Sequence, residues 1–144
     1  MTTPALIIPV GQDQYALPAH IVREVVSDPR PTRLPTAPEV FLGAFNLRGE
    51  VVPIFDTAML LGIGRLNDPT IAVVINTPSG PAGLVVSSLP KVAVLADQIG
   101  PSEMRGTVGV YAVEDDIAVL VDIDALLQPH TSFGATLTDG SVGR

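Results

Sequence analysis

The 144-residue chain contains no cysteine. That excludes disulfides, a thiol nucleophile and thiolate metal sites. Aromatic residues make up only 4% of it, with two tyrosines and four phenylalanines. An aromatic groove for proline-rich peptides cannot be lined from so few, and the core has to come from Val, Ile, Leu and Ala. Positive charge is scarce as well. Eight Lys and Arg face fifteen Asp and Glu, a net charge of -7, which disfavours nucleic acid and anionic membrane surfaces as partners. No apolar run approaches the roughly 18–20 residues of a membrane span, and the N-terminus has neither a basic flank nor a long apolar stretch. The expectation is a soluble cytoplasmic protein that is not exported and does not insert into a membrane.

What is present favours strands. Apolar residues reach 47%, in short valine-rich runs punctuated by 13 glycines and 14 prolines, a pattern of strands and tight turns. About nine strands are expected, with residues 96–104 as a loop around Gly100-Pro101. Asp56 can N-cap a short helix that Gly62 ends, and Asp122 can cap a second that Pro129 stops. The connector 27–38 holds four prolines, which favour an extended path against the body. The fold class is therefore all-β, with short helices after Asp56 and Asp122. Its two similar halves divide near residues 62–69 and share an apolar core. One domain spans 1–128, with a first lobe of about 5–62 plus the C-terminal helix and a second of about 70–121. Residues 129–144, small and polar, are expected to form a flexible tail.

The stretch 41–56 carries the most information. Apolar arms flank Asn46-Leu47-Arg48-Gly49-Glu50, and Gly49 allows the positive φ of a tight reversal. Pro53 lacks an N–H for a ladder, so the second arm reads as an edge strand or a bend. An arginine at the tip of an otherwise apolar hairpin is either a solvated turn residue or a recognition group. Catalytic constellations are scarce. No serine sits in a Gly-x-Ser-x-Gly, and the histidines are His20 and His130, not at ligand spacing. Asp115-Asp116 reads as a solvated turn and Asp122-x-Asp124 as helix capping. Gly62-Ile63-Gly64 lacks the Lys-Ser/Thr of a phosphate loop. No catalytic residue, metal site or cofactor is assigned.

The segment Pro38-x-x-Phe41-x-Gly43-x-x-Asn46-Leu47-Arg48-Gly49-x-Val51-Val52-Pro53-Ile54-x-Asp56 resembles the signature of the CheW-like family, the coupling proteins of bacterial chemotaxis. The resemblance extends upstream through Tyr15-Ala16-Leu17-Pro18 and Val22-Arg23-Glu24-Val25. It extends downstream through 70–75, 83–86, 92–95 and 117–122, covering about residues 5–128. It implies two five-stranded SH3-like β-barrels on a shared core, and a non-enzymatic adaptor. The implied partners are the regulatory domain of a CheA-type histidine autokinase, the cytoplasmic tip of methyl-accepting chemoreceptors and other CheW-like domains. Association with membrane receptor arrays would then run through partners. Position by position, Val22, Glu24, Val25 and Arg48, with Val85 and Val86, match the receptor-facing groove. Pro31, Leu42, Gly43 and Gly49 match the kinase-facing end. Leu42 replaces a commonly polar residue, and Ser87-Ser88 replace a commonly acidic position. These departures leave room for a scaffold of a specialised system (gliding, twitching or development) that acts mainly through homo-oligomers.

Overall fold

The computed structural model describes residues 2–130. Strands β1 (Thr3–Val10) and β2 (Asp13–Pro18) form a hairpin, followed by a 3-10 turn at Ala19–Ile21 and β3 (Val22–Ser27). After the connector come β4 (Phe41–Leu47), β5 (Glu50–Asp56) and helix α1 (Thr57–Leu61). The chain continues with β6 (Ile71–Thr77), β7 (Gly80–Val86), β8 (Lys91–Leu95) and β9 (Gln98–Pro101). Strands β10 (Thr107–Val113) and β11 (Asp116–Val121), helix α2 (Ile123–Leu127) and a 3-10 turn at Gln128–His130 complete the order. Eleven strands replace the expected nine or so. The 96–104 loop contains β9, because Gly109 and Val110 pair with Pro101 and Gly100 there.

The strands make two sheets, of six (β8-β1-β2-β11-β10-β9) and five (β3-β6-β7-β5-β4). The two-lobed β reading holds, with six strands in one sheet where five were expected. The sheets are not the two halves of the sequence. A parallel pairing of Tyr15 with Val119 draws the N-terminal hairpin into the sheet built from the C-terminal strands. The five-stranded sheet takes the contiguous middle of the chain. The division near 62–69 therefore falls inside that sheet, between β5 and β6.

The ends of each sheet are brought near one another, which covers part of their open edges. The end strands β8 and β9 are consecutive in the chain. Their joint is held to β10 by bonds from the Ala96 N–H to the Ala112 carbonyl (2.9 Å) and from the Ala112 N–H to the Asp97 carbonyl (3.0 Å). The end strands β3 and β4 are joined by the proline-rich connector. Thr32 and Ala44 exchange backbone bonds of 2.8 and 3.0 Å, so the connector does lie against the body. Strand β5 is not an edge, since β7 and β4 flank it. Pro53 precedes Ile54, where the β5–β7 ladder starts.

Alternation along β1 sorts its side chains between two interiors. Ala5 and Ile7 pack inside the six-stranded sheet with Ala16, Ala93, Leu95, Val113 and Ala118. Leu6, Ile8 and Val10 face the other way, onto Phe55, Val73, Ile75, Leu84 and Val86 of the five-stranded sheet. This second cluster is the shared core. Each fully buried large aliphatic or Phe side chain in it is worth about 1.5–3 kcal/mol, and the cluster packs the two lobes together. Both helices are capped as their sequences require. The carboxylates of Asp56 and Asp122 accept the N–H groups of Met59 and Ala125, and Gly62 ends α1 at φ +75°. Pro129 does not end the second helical segment, which runs on as the 3-10 turn to His130. The rest of the expected tail lies outside the described residues.

Candidate protein-interaction site

Strands β4 and β5 stay paired down to Leu47 opposite Glu50, so Arg48-Gly49 is a two-residue turn. Both residues have positive φ, +51° and +88°, the pattern of a type I′ turn. The sequence reading gave that role to Gly49 alone. A positive φ is uncommon for a long side chain, and at Arg48 the side chain is held from outside the hairpin. Its Nη1 and Nη2 donate to Oε1 and Oε2 of Glu24 at 2.5 and 2.7 Å, the parallel fork that suits guanidinium and carboxylate. Hydrogen bonding from Arg48 holds the Glu24 carboxyl below its usual range, assisted by the positive charges of Arg48 and Arg23 and outweighing desolvation. The same pair raises the Arg48 pKa. Asn46 Oδ1 accepts the Gly49 N–H at 2.8 Å, which stiffens the tip.

A second pair runs beside the first. Arg23 Nη1 donates to Glu50 Oε1 at 2.7 Å, while its Nε and Nη2 donate to Asn76 Oδ1 at 3.0 and 2.7 Å. Consecutive residues of β3 thus hold both sides of the hairpin turn, and Arg23 also reaches the end of β6. Single exposed ion pairs contribute little. Here two pairs of alternating charge span the mouth between the end strands β3 and β4, where no ladder joins them, and fix its width.

The structure gathers Glu24, Arg48 and Val25 at this mouth. Val25 is 39% exposed, and Val22 is half-buried against the shared core. It does not bring Val85 and Val86 there. They are 2% and 1% exposed, because β7 lies between β6 and β5 and is covered on both faces. Val85 packs on Ile54 and Ala72, and Val86 belongs to the shared core. Neither can touch a partner while β7 is folded.

Pro31, Leu42 and Gly43 do come together. Gly43 has φ +137°, and a Cβ on it would stand 2.5 Å from the Thr32 carbonyl oxygen and 3.0 Å from Pro31 Cβ. Leu42 packs against the Ile54–Ala72–Val85 cluster and borders a cavity of about 250 Å³ shared with Arg33, Asp56, Met59 and Leu66. Gly49 is not part of this group. It lies in the turn beyond the opposite end of β4, whose end at Leu47 is about 13 Å from Gly43 at the usual strand rise.

Sequence reading places Glu50 at the hairpin tip with Asn46 and Arg48 but misses its partners Arg23 and Asn76, although Arg23-Glu24 facing Arg48-x-Glu50 is a complementary charge pattern. It also missed the exposed apolar residues Leu89, Val92 and Val94, at 72%, 79% and 50%. Val92 pairs with Leu6 across β1 and β8, so it carries the margin of the shared core out to the surface. An exposed apolar margin of this kind marks an interaction surface. Lys91-Val-Ala-Val-Leu offers no polar alternation that would have marked it. Among the described residues no three His, Cys, Asp or Glu side chains gather as a metal cluster, and no helix is long and apolar enough to cross a membrane. Asp115 and Asp116 lie exposed at the β10–β11 turn.

A family model for the CheW-like domain matches residues 4–130. The chain is 30% identical over 128 residues to the chemotaxis protein CheW of Rhizobium meliloti (strain 1021), covering 81% of this chain and 82% of that one. It is 31% identical over 132 residues to the chemotaxis protein CheW of Klebsiella aerogenes, covering 85% and 80%. The crystal structure of the scaffolding protein TtCheW from Thermoanaerobacter tengcongensis superposes with a TM-score of 0.73 at 22% identity, covering 84% of this chain and 89% of that one. It shares the two-lobed β fold. By the span of the family match and the identity to these relatives, the chain belongs to the CheW-like domain family.

Proposed function

We propose that this chain is a non-enzymatic cytoplasmic adaptor that couples chemoreceptors to a CheA-type histidine autokinase in a chemosensory array. The carrying observation is the mouth of the five-stranded sheet, where exposed Val25 stands beside the forked Glu24–Arg48 pair. An apolar anchor with a charged rim suits the side of a partner helix. The receptor tip docks there, with Val22, Val25, Glu24 and Arg48 in contact and exposed Leu89 and Val92 as further apolar surface. The kinase regulatory domain takes the end formed by Pro31, Leu42 and Gly43. Gly49 shapes the turn, and Val85 and Val86 support the site from within.

The two faces make separable predictions. Val25→Asp adds a charge at an exposed strand position, so stability should stay within about 0.5 kcal/mol. Affinity for a receptor cytoplasmic fragment should fall at least tenfold while affinity for the kinase regulatory domain is unchanged, both read by titration calorimetry. Undiminished receptor binding, or loss of both partners together, would refute the assignment of faces.

A further inference from the structure

The C-terminal end of the described chain is a strap between the lobes. Strand β11 belongs to the six-stranded sheet, whereas the segment after it lies on the five-stranded one. Leu126 and Leu127 enter the shared core. The His130 ring then rests on Phe55 of β5, with centroids 6.0 Å apart and planes at 44°. Phe55 in turn meets Phe41 edge-on at 5.8 Å and 66°, so three rings lead from the end of the strap to the start of β4. We propose that His130 is a pH-sensitive clasp: neutral, it fastens the strap to the five-stranded sheet, and its protonation releases the 3-10 turn.

The seat explains why the neutral form is the one that docks. The ring lines a small cavity together with Pro53 and Phe55 of β5, Thr77, Pro81 and Ala82 of the β6–β7 hairpin, and Leu127 of α2. None of these described residues is an acid or a base, so none of them offers a counter-charge to an imidazolium. Partial burial pushes the His130 pKa below its ordinary value, and the positive charge of Arg105, from the segment between β9 and β10, pushes the same way. The docked ring therefore binds a proton less readily than the free one. Docking is at full strength above the unfolded pKa and weakens as pH falls through the docked one. Each pKa unit between the two states changes the docked-to-released ratio tenfold.

The test is an NMR titration of the full chain from pH 8 to 4.5, following the His130 ring, the Phe55 ring and amide exchange at Ala125–Gln128. The expected His130 midpoint lies below that of the same protein unfolded in urea. The Phe55 signals should shift with that midpoint, and protection factors at 125–128, taken relative to the intrinsic exchange rate at each pH, should fall below it. His130→Phe keeps a ring in the seat without the proton and should abolish that fall in protection. Arg105→Ala should move the midpoint towards the unfolded value. A midpoint at or above the unfolded one, a Phe55 ring indifferent to it, or a loss of protection at low pH that persists in His130→Phe would each overturn the proposal.

Discussion

Replacing Gly43 by alanine should loosen the connector and destabilise the whole domain. Two costs add. The backbone at 43 has φ +137°, a region that costs a residue with a Cβ about 1–3 kcal/mol. The new methyl would also stand 2.5 Å from the Thr32 carbonyl oxygen and 2.8 Å from its carbon. These are backbone atoms, so no side-chain rotation relieves the overlap. The connector has to move away, and the two bonds between Thr32 and Ala44 are lost at about 0.5–1.5 kcal/mol each. The sum is about 2–6 kcal/mol, against a total of about 5–15 for a typical domain. Urea unfolding gives the loss directly, and amide exchange at Thr32 and Ala44 shows whether it comes from the connector. If Gly43 shapes a kinase-binding surface, kinase affinity should drop while receptor affinity holds. A stability loss under 0.5 kcal/mol, or unchanged protection of the two amides, would refute this account of the glycine.

Asp56 is 1% exposed, and its carboxylate accepts from both Met59 and Leu66. Asp56→Ala leaves two donors without partners and should cost about 2–4 kcal/mol by denaturant midpoint, with Asp56→Asn recovering part. The Glu24–Arg48 link should be pH-dependent. The folded Glu24 pKa lies below its ordinary 4.5, so the contribution of the pair is present above that value and is lost as pH falls through the folded one. A side-chain carboxyl titration of Glu24 checks this, and Arg48→Ala should move its midpoint upward and lower the melting temperature. Arg48→Asn suits the turn better but lacks the fork, so its Glu24 midpoint should rise too. Cutting the chain at Gly62 parts β5 from β7 and β2 from β11, and neither fragment should give a dispersed amide spectrum.

The local grammar was legible. Asp56 with Gly62, Asp122, the reversal at Gly49 and the bound proline connector are all short-range chemistry, and each stands where its residue types put it. What lay beyond reach was the pairing of distant strands. Nothing in Tyr15-Ala16-Leu17 or Val119-Leu120-Val121 says that they run side by side, so the lobes were drawn as sequence halves. The burial of Val85 and Val86, matched to the receptor-facing groove by resemblance, was out of reach for a related reason. Gly83 to Val86 is apolar at every position, and apolar continuity marks a strand buried on both faces as readily as an exposed binding edge. For Arg48, the charge pattern contained more than was taken from it. Glu24 and Arg48 were both singled out, yet their pairing needed the register that sets β3 opposite the hairpin turn.

The placement of the N-terminal hairpin has a consequence for how the protein is made. During synthesis the five-stranded sheet, residues 22–86, leaves the ribosome as one uninterrupted piece and can close before the remainder exists. Strands β1 and β2 precede it but lack their neighbours β8 and β11 until the last strands of the domain have been translated. Through that interval Leu6, Ile8 and Val10 can rest on the finished sheet, while Ala5, Ile7 and Ala16 stay uncovered on the opposite face. Closing so long a loop is slow by the usual dependence of rate on sequence separation. The first strands of the domain are therefore among the last of it to be fully enclosed, and the nascent hairpin is where a chaperone would have most to cover.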